Sequence, residues 1–143
     1  MDLALSYRGN YAVRAAVYLA RAWSRAGTAR VVDIAEGMGL PPSYTPQVLG
    51  YLARAEIVIS RAGRGGGFRL ARAPTEISLL EVVEATDGHL VLERCPLRDA
   101  PCGWDDPCAL HPAWSRAATG VARALGETSL AELATRFDQE RRP

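Results

Sequence analysis

Three cysteines lie close together in the second half of the chain, within the segment CPLRDAPCGWDDPC. Six residues separate Cys95 from Cys102, five separate Cys102 from Cys108, and His111 follows after two more. Proline, glycine, aspartate and arginine surround these cysteines, and no apolar periodicity places them in a core, which disfavours buried, inert thiols. Their odd number disfavours a set of structural disulfides. The segment is therefore predicted to hold a metal or to act as a thiol-based redox switch.

The spacing of the cysteines bears on which metal they would hold. Structural zinc sites commonly use close pairs such as C-x2-C, whereas wider gaps suit thiolates that surround a larger inorganic core. An iron–sulfur cluster, 2Fe-2S or 4Fe-4S, is the favoured cofactor, and zinc or metal-free thiol oxidation remain alternatives. His111 is the candidate fourth ligand, because imidazole replaces thiolate on iron in some clusters. Other candidate donors are a residue of a second subunit, His89, Asp99, Asp105 and Asp106.

Charge is distributed unevenly along the chain. Residues 1–72 carry ten arginines and four acidic residues, a net charge of +6, whereas residues 73–143 carry seven arginines and twelve acidic residues, a net charge of −5. A basic half predicts a polyanionic partner, with accidental surface asymmetry as the alternative. No apolar run reaches the roughly 18 residues that predict a membrane span, and the first residues lack the pattern of a secretory signal. A cytoplasmic protein without membrane contact is expected.

Three helices are predicted in the basic half. Residues 10–26 form an amphipathic pattern, and residues 31–39 form a shorter one that Gly39 suits as a left-handed cap. A third helix follows in the segment LPPSYTPQVLGYLAR, with Ser43 as the candidate N-cap and Pro46 in the first turn, where a missing N–H costs little. The second and third helices form a helix-turn-helix, in which the third is expected to read DNA.

A β-hairpin is predicted over residues 57–72, because strand-type alternation flanks the run GRGGG, whose glycines supply positive φ. A helix-turn-helix followed by such a hairpin is a winged helix. Arg61 and Arg64 are candidates for the minor groove, whose negative potential attracts guanidinium groups, with Arg69 and Arg72 nearer phosphates. The alternative is an ordinary glycine-rich turn. The other candidate DNA contacts are Ser43, Tyr44, Thr45 and Gln47, all expected in an exposed first turn of the reader helix, and Arg54, which lies further along and is expected near phosphate.

The acidic half contains further helix signals. Ser78 and Glu81 form a capping box, so a helix is predicted to start near Leu79 and to end at Gly88. Residues 113–125 form another helix, and a second capping box from Ser129 to Glu132 starts the last one. One stripe of the helix over 113–125 is apolar and comprises Trp114, Ala117, Ala118, Val121 and Leu125.

Several segments together carry a family resemblance: RGNYAVRA, IAEGMGLPPSYTPQVLGYL, GRGGGFRLAR, ISLLEVVEATDG, the three-cysteine loop and TSLAEL. Over nearly its whole length the chain resembles the bacterial IscR/NsrR-type winged-helix iron–sulfur transcription regulators. The resemblance implies a homodimer built through the long helix that starts near His111, and a palindromic double-stranded DNA operator. It also implies that Ser43, Tyr44 and Gln47 enter the major groove. Its implied cluster ligands are Cys95, Cys102, Cys108 and His111.

The chain departs from this family pattern at a few positions. Glu56 replaces the usual glycine after the reader helix, and Ala62 stands where an arginine commonly precedes the wing glycines, with Arg64 inside the run. Asn10 occupies the position where the nitric-oxide branch can use an aspartate ligand, and an amide is a poor ligand by comparison.

These inferences predict a mainly α fold with a small β-hairpin wing, comprising a winged helix-turn-helix and a long dimerisation helix. The DNA-binding domain is expected over 1–74. Residues 75–143 are expected to hold a linker helix, the cysteine loop at about 89–111, the dimerisation helix at about 112–126 and a C-terminal helix. The expected function is transcriptional repression, controlled by a cluster that senses nitric oxide, redox or iron status. The alternative is the same fold with zinc or thiol oxidation as its input. No enzyme is expected, since neither a Ser-His-Asp arrangement nor a nucleotide-binding loop is present.

Overall fold

The structure is a computed structural model that describes residues 4–24, 27–90, 95, 97 and 108–140. These residues form six α-helices and a two-stranded antiparallel sheet, with a 3-10 turn at Pro74–Glu76. The predicted fold class, mainly α with a hairpin wing, is confirmed. No helix among the described residues is long and apolar enough to span a membrane. The elements are α1 (Tyr7–Arg21), α2 (Val31–Met38), α3 (Thr45–Arg54), β1 (Val58–Arg61), β2 (Gly67–Leu70), α4 (Leu79–Asp87), α5 (His111–Glu127) and α6 (Leu130–Glu140).

Helix α1 lies at the centre of the fold and packs on α2, α3, α4 and α6. It starts three residues before the predicted position, because the Ser6 hydroxyl caps it by accepting a hydrogen bond from the amide of Gly9 at 3.0 Å. It ends at Arg21 rather than near residue 26. Its alanines at positions 12, 15 and 16 are fully buried, so neighbouring helices approach its backbone closely.

In the turn between α2 and α3, the end of α2 agrees with the sequence prediction and the start of α3 does not. Gly39 adopts the left-handed conformation, with φ 62° and ψ 44°, and ends α2. The N-cap of α3 is Tyr44, however, and not Ser43. The prediction that Ser43 is the N-cap is therefore wrong, whereas Pro46 falls in the first turn as predicted. Val48, Leu49 and Leu52 are fully buried and hold α3 against the core.

The wing is held to the body of the domain by a strand contact that the sequence did not predict. Strands β1 and β2 pair with Val58 opposite Leu70 and Arg61 opposite Gly67. Ala29, before α2, exchanges two backbone hydrogen bonds of 2.8 Å with Phe68. This pairing brings Gly67, at φ 148°, so close to Ala29 that an added Cβ would lie 2.3 Å from the Ala29 carbonyl oxygen. Glycine is therefore required at the start of β2.

The second half of the chain returns to α1 through α6. The Ser78–Glu81 capping box forms as predicted and α4 ends at Asp87, ahead of Gly88. The residues before α4 pair with the connection between α5 and α6 through two backbone hydrogen bonds. The Leu79 amide donates to the Thr128 carbonyl at 2.8 Å, and the Leu130 amide donates to the Ile77 carbonyl at 2.9 Å. Buried Leu130 then joins the core that α1 centres. Helix α5 is two residues longer at each end than predicted and has no buried residue.

Candidate nucleic-acid interface and cysteine segment

The first turn of α3 presents some, but not all, of the predicted base-reading side chains. Ser43 and Gln47 are exposed, and Tyr44 is half-buried with its ring edge-on to Tyr11 at a centroid distance of 5.9 Å. Thr45 is only 1% exposed, because its hydroxyl donates to the carbonyl oxygen of Pro41 at 2.8 Å. The expectation that Thr45 is exposed is wrong. Ser43 and Gln47 are thus the accessible polar side chains that could reach base edges in a major groove.

The wing carries its arginines on the outside. Arg61 ends β1, Arg64 lies at the tip and Arg69 lies on β2, and all three are exposed. Within the described residues none of the three forms an ion pair. The Thr28 hydroxyl donates to the Gly65 carbonyl at 2.7 Å and fixes the tip against the loop before α2. The wing therefore carries positive charge that no acidic side chain of the described residues neutralises, on a backbone that Thr28 fixes in place. Both properties suit insertion of the wing into a DNA groove.

Arg72, which the sequence places near DNA phosphates, also makes contacts within the chain. Its two terminal nitrogens donate to the Glu76 carbonyl and to the Glu81 carboxylate, each at 2.8 Å. Partial burial opposes ionisation of Glu81. Hydrogen bonds from the Ser78 amide, Arg72 and the Ser78 hydroxyl outweigh that cost and hold the pKa of Glu81 below its ordinary value. Arg72 thus anchors the end of the wing to α4.

A second basic group lies where α1 meets α3, and sequence reasoning missed most of it. Arg8 donates to the Tyr51 hydroxyl at 3.5 Å, and its guanidinium carbon lies 5.7 Å from the centre of the Tyr51 ring. The guanidinium carbon of Arg54 lies 4.7 Å from the same ring centre. The hydrogen bond to Tyr51 raises the pKa of Arg8. Arg54 was predicted from its place on the reader helix, but no local spacing links Arg8 to Tyr51, 43 residues apart.

The start of α1 is also fastened to the end of α4. The Asp87 carboxylate accepts hydrogen bonds from the Ser6 amide, at 3.2 Å, and from the Ser6 hydroxyl. Gly9 leaves room for this contact, since a Cβ there would lie 2.8 Å from Asp87 Oδ2. Asp87 is the last residue of α4 and lies, in the sequence, two residues before the expected start of the cysteine loop at about residue 89.

Two of the three cysteines fall within the described part of the chain. Cys95 and Cys108 are thiols and both are half-buried, whereas Cys102 lies outside the described residues. His111 is the first residue of α5. Its amide donates to the Cys108 carbonyl at 3.0 Å, and its Nε2 lies 3.2 Å from the Ser115 hydroxyl. The described residues contain no group of three metal-ligating side chains, so the predicted ligand set stays a prediction.

The alternative fourth ligands are equally untested by the described residues. Asp99, Asp105 and Asp106 lie outside them. The His89 side chain is 92% exposed, and its Nδ1 lies 3.2 Å from Glu84 Oε2.

An exposed reader-helix turn beside a basic hairpin wing defines the class of the protein: a winged helix-turn-helix DNA-binding protein. The family follows from residues 5–136, which match the Rrf2 family, described as iron-dependent transcriptional regulators. The chain belongs to the Rrf2 family.

Individual relatives cover most of the chain. A protein of Mycobacterium tuberculosis whose name describes it as an HTH-type transcriptional regulator is 38% identical over 133 residues, 91% of this chain and 80% of its own. The regulator IscR of Xenorhabdus nematophila is 33% identical over 129 residues, 90% of this chain and 77% of its own. The solved structure of CymR, the global cysteine regulator of Bacillus subtilis, has a TM-score of 0.77 at 25% identity, and the likeness covers 94% of this chain and 98% of that one.

These relatives confirm the resemblance that the sequence motifs carried. The chain is a DNA-binding transcriptional regulator, and the expectation that it is not an enzyme agrees with the names of its relatives. What controls its DNA affinity is a separate question, because IscR-type and CymR-type proteins both lie among the similar chains.

Proposed function

We propose that the chain is a homodimeric, cytoplasmic repressor whose affinity for a palindromic operator is controlled by an iron–sulfur cluster that senses nitric oxide, redox state or iron status. The DNA-binding part rests on one observation, the exposed Ser43 and Gln47 beside a wing with uncompensated arginines. Gln47 can pair with adenine in the major groove, and Arg61 and Arg64 suit the narrow minor groove.

The donor set of the cysteine segment fits such a cluster. Cys108 and His111 stand three residues apart at the start of α5, joined through the hydrogen bond between their backbones. Cys95 and Cys108 are thiols, the form from which thiolate ligands arise, and Cys102 and an imidazole complete a set of three sulfurs and one nitrogen. When bound, the cluster would supply thiolate-ligated iron, which is open to oxidation and nitrosylation. His111 is supported as the fourth ligand by its position, and the Ser115 hydroxyl beside its Nε2 would help to orient the ring.

The helices on either side of the segment offer a route from the cysteines to the DNA interface. Helix α4 ends at Asp87, which holds Ser6 and hence the start of α1, and α1 packs directly on α3. Ligation through Cys108 and His111 would hold the start of α5 in place. Release of these ligands would leave α5 with its contacts to α4. A two-state change in this segment would then alter the separation of two reader helices in a dimer.

Helix α5 is the element that we assign to the dimer. None of its 17 residues is buried. Trp114, Ala118, Val121 and Leu125 are half-buried and recur at helical spacing along one side. A second copy of α5 would cover this side in a two-fold arrangement, in which each helix meets the same residues of its partner. A two-fold dimer would present its two reader helices to the half-sites of a palindromic operator, and we expect these half-sites to lie about one DNA turn apart.

Anaerobic purification tests the cluster. The expected result is a coloured protein with visible absorbance and with iron and sulfide in the ratio of a 2Fe-2S or 4Fe-4S centre. Replacing Cys95, Cys102 and Cys108 together by Ala should remove the colour and change operator affinity or specificity, while the helical content stays unchanged. Ser115→Ala serves as the matched variant, since it keeps all four ligands and should keep the colour. If the protein is colourless and iron-free and still binds its operator normally, control by a cluster is rejected and the DNA-binding function alone remains.

The likeness to CymR favours a second candidate, the same regulator with cysteine oxidation or zinc as its input. Half-buried Cys95 and Cys108 are thiols that an oxidant could reach. Mass spectrometry after peroxide treatment detects this candidate as an added oxygen or the removal of two hydrogens, either of which reverses with reductant. Metal analysis of the same material detects zinc.

A further inference from the structure

Arg8, Tyr51 and Arg54 form a group where α1 meets α3, and of the three Arg54 alone is a candidate DNA contact from the sequence. Two guanidinium carbons lie 5.7 and 4.7 Å from the centre of one tyrosine ring, and Arg8 also donates to the Tyr51 hydroxyl. We propose that this group, named here the Arg8–Arg54 clamp, binds a DNA backbone phosphate beside the major groove. The proposal rests on the proposed DNA-binding function and adds to it a contact from α1, outside the helix-turn-helix and the wing.

The charge state of the clamp supports an anionic ligand. Five other arginines of the described chain pair with carboxylates of the same chain at 2.6–2.8 Å, namely Arg21, Arg30, Arg72, Arg123 and Arg136. Among the described residues neither Arg8 nor Arg54 has such a partner, and both are exposed. A DNA phosphate beside these guanidinium groups would supply the anionic partner that neither arginine has among the described residues.

The position of the clamp on α3 favours DNA over another polyanion. Gln47, Tyr51 and Arg54 follow one another at intervals of four and three residues, so they lie on one side of the reader helix. Seven residues of helix span about 10 Å, close to the width of roughly 12 Å of the major groove. With Gln47 at the base edges, Arg54 and the adjacent Arg8 would therefore reach the phosphates that border the groove.

The ring of Tyr51 explains how two flexible side chains are held ready for this contact. Arginine loses rotamer freedom when it binds, and stacking on an aromatic face restricts it beforehand. The Tyr51 hydroxyl adds a hydrogen bond that restricts Arg8 further. Tyr51 is thus a positioning residue, and Arg8 and Arg54 are the groups that contact phosphate.

The salt dependence of DNA binding tests the clamp. The full chain, purified anaerobically, is titrated by fluorescence anisotropy against a labelled duplex selected from random DNA by the unmodified protein, and against a scrambled duplex of the same composition. Arg8→Gln should weaken binding to both duplexes about equally, by roughly tenfold. The slope of log K against log salt should fall by about 0.9 for each phosphate that the variant no longer neutralises, or about 1.8 for a dimer. Tyr51→Phe should weaken binding less, and should add nothing to Arg8→Gln.

Two matched variants make it possible to test the clamp separately from the proposed function. Arg136→Gln removes the same charge from α6, where Glu132 pairs with it at 2.6 Å, and should leave the salt slope unchanged. Gln47→Ala should lower the preference for the selected duplex while keeping the slope. If Arg8→Gln leaves the salt slope unchanged, as Arg136→Gln should, or changes only the preference between duplexes, the clamp does not bind phosphate. The proposed reading of DNA by α3 would be unaffected by that result. If the unmodified protein selects no duplex at any salt concentration, the proposed function is overturned and the clamp with it.

Discussion

The two longest helices of the molecule, α1 and α5, are built by the same rules and differ in what covers them. Helix α1 has 15 residues, eight of which are buried by four other helices of its own chain. Helix α5 has 17 residues, none of them buried, although apolar side chains recur along one side. An apolar stripe predicts that a helix needs a partner surface, but it does not say whether that surface belongs to the same chain. Helix α1 is covered by helices of its own chain, whereas α5 leaves a half-buried apolar side that the proposed dimer would cover.

Truncation of a core side chain in α1 gives the largest expected effect. Leu19 is 3% exposed, so Leu19→Ala should lower the free energy of unfolding by about 2–5 kcal/mol through reduced burial and a cavity. The decrease should be the same at all protein concentrations in denaturant titrations. The matched change Leu125→Ala in α5 should instead give a decrease that depends on protein concentration. An equal, concentration-independent decrease for both variants would erase the distinction between the two helices.

A charge on the apolar side of α5 tests the other half of the comparison. Val121→Asp should weaken self-association at least about 100-fold, because an unpaired carboxylate would have to be desolvated between the two helices. Sedimentation at a series of concentrations measures the shift, and circular dichroism should show unchanged helical content. A folded Val121→Asp protein that remains dimeric would place the dimer contact elsewhere on the chain.

A substitution where α2 approaches α1 closely should have a smaller effect on stability, and the effect should be confined to the part of the core that α1 centres. A Cβ added to Gly37 would lie 2.5 Å from Cε2 of the Tyr18 ring, so Gly37→Ala forces the ring or the helix to move. The expected cost is about 1–3 kcal/mol of unfolding free energy, with self-association unchanged. Gly120→Ala in α5 is the matched control, since a Cβ there meets no atom within 4 Å. Equal stability of the two variants would show that Tyr18 adapts freely.

Glu56 offers a change in the opposite direction. Glu56 has φ 57° after α3, and it is the non-glycine residue with positive φ among those described. A side chain costs about 1 kcal/mol in this conformation, so Glu56→Gly should raise the free energy of unfolding by about that amount. Glu56→Ala keeps the strain while removing the charge, and it should leave stability nearly unchanged. A stabilised Ala variant would assign the effect to the missing carboxylate instead.

The smallest effect concerns pH at α4, the helix that contacts both α1 and α5. Because the pKa of Glu81 is lowered in the folded protein, its contribution to stability is present above the ordinary glutamate pKa and is lost as pH falls through the lowered value. The Glu81 carboxylate is 41% exposed, so water screens the pair and the contribution should stay under about 1 kcal/mol. The free energy of unfolding of Glu81→Gln should therefore differ from that of the unmodified protein at neutral pH, and the two should converge as pH falls through the lowered pKa of Glu81. A constant difference at every pH would exclude the carboxylate charge as the cause.

Local patterns in the sequence predicted the elements well where their signals lie within a few residues. The Ser78–Glu81 box, the left-handed Gly39 and the glycines of the wing each depend on neighbours close in the chain. The errors arose where a tertiary contact competes. Thr45 looked like an exposed first-turn residue, and it is buried by its bond to Pro41 and by the core behind α3. The bond between Arg72 and Glu81, nine residues apart, was likewise not predicted from the sequence.

The sequence by itself determined the order of the helices, the wing and the family, because caps, apolar periods and motifs are written in consecutive residues. Packing alone decided which distant side chains meet, as Ser6 does with Asp87 and Arg8 with Tyr51. Such pairs depend on how α1 lies against α3 and α4, and that placement results from the summed burial of many apolar side chains rather than from any one segment. For the same reason the stripe on α5 could be predicted from the chain, whereas only the folded structure shows that none of its residues is fully buried by the described chain.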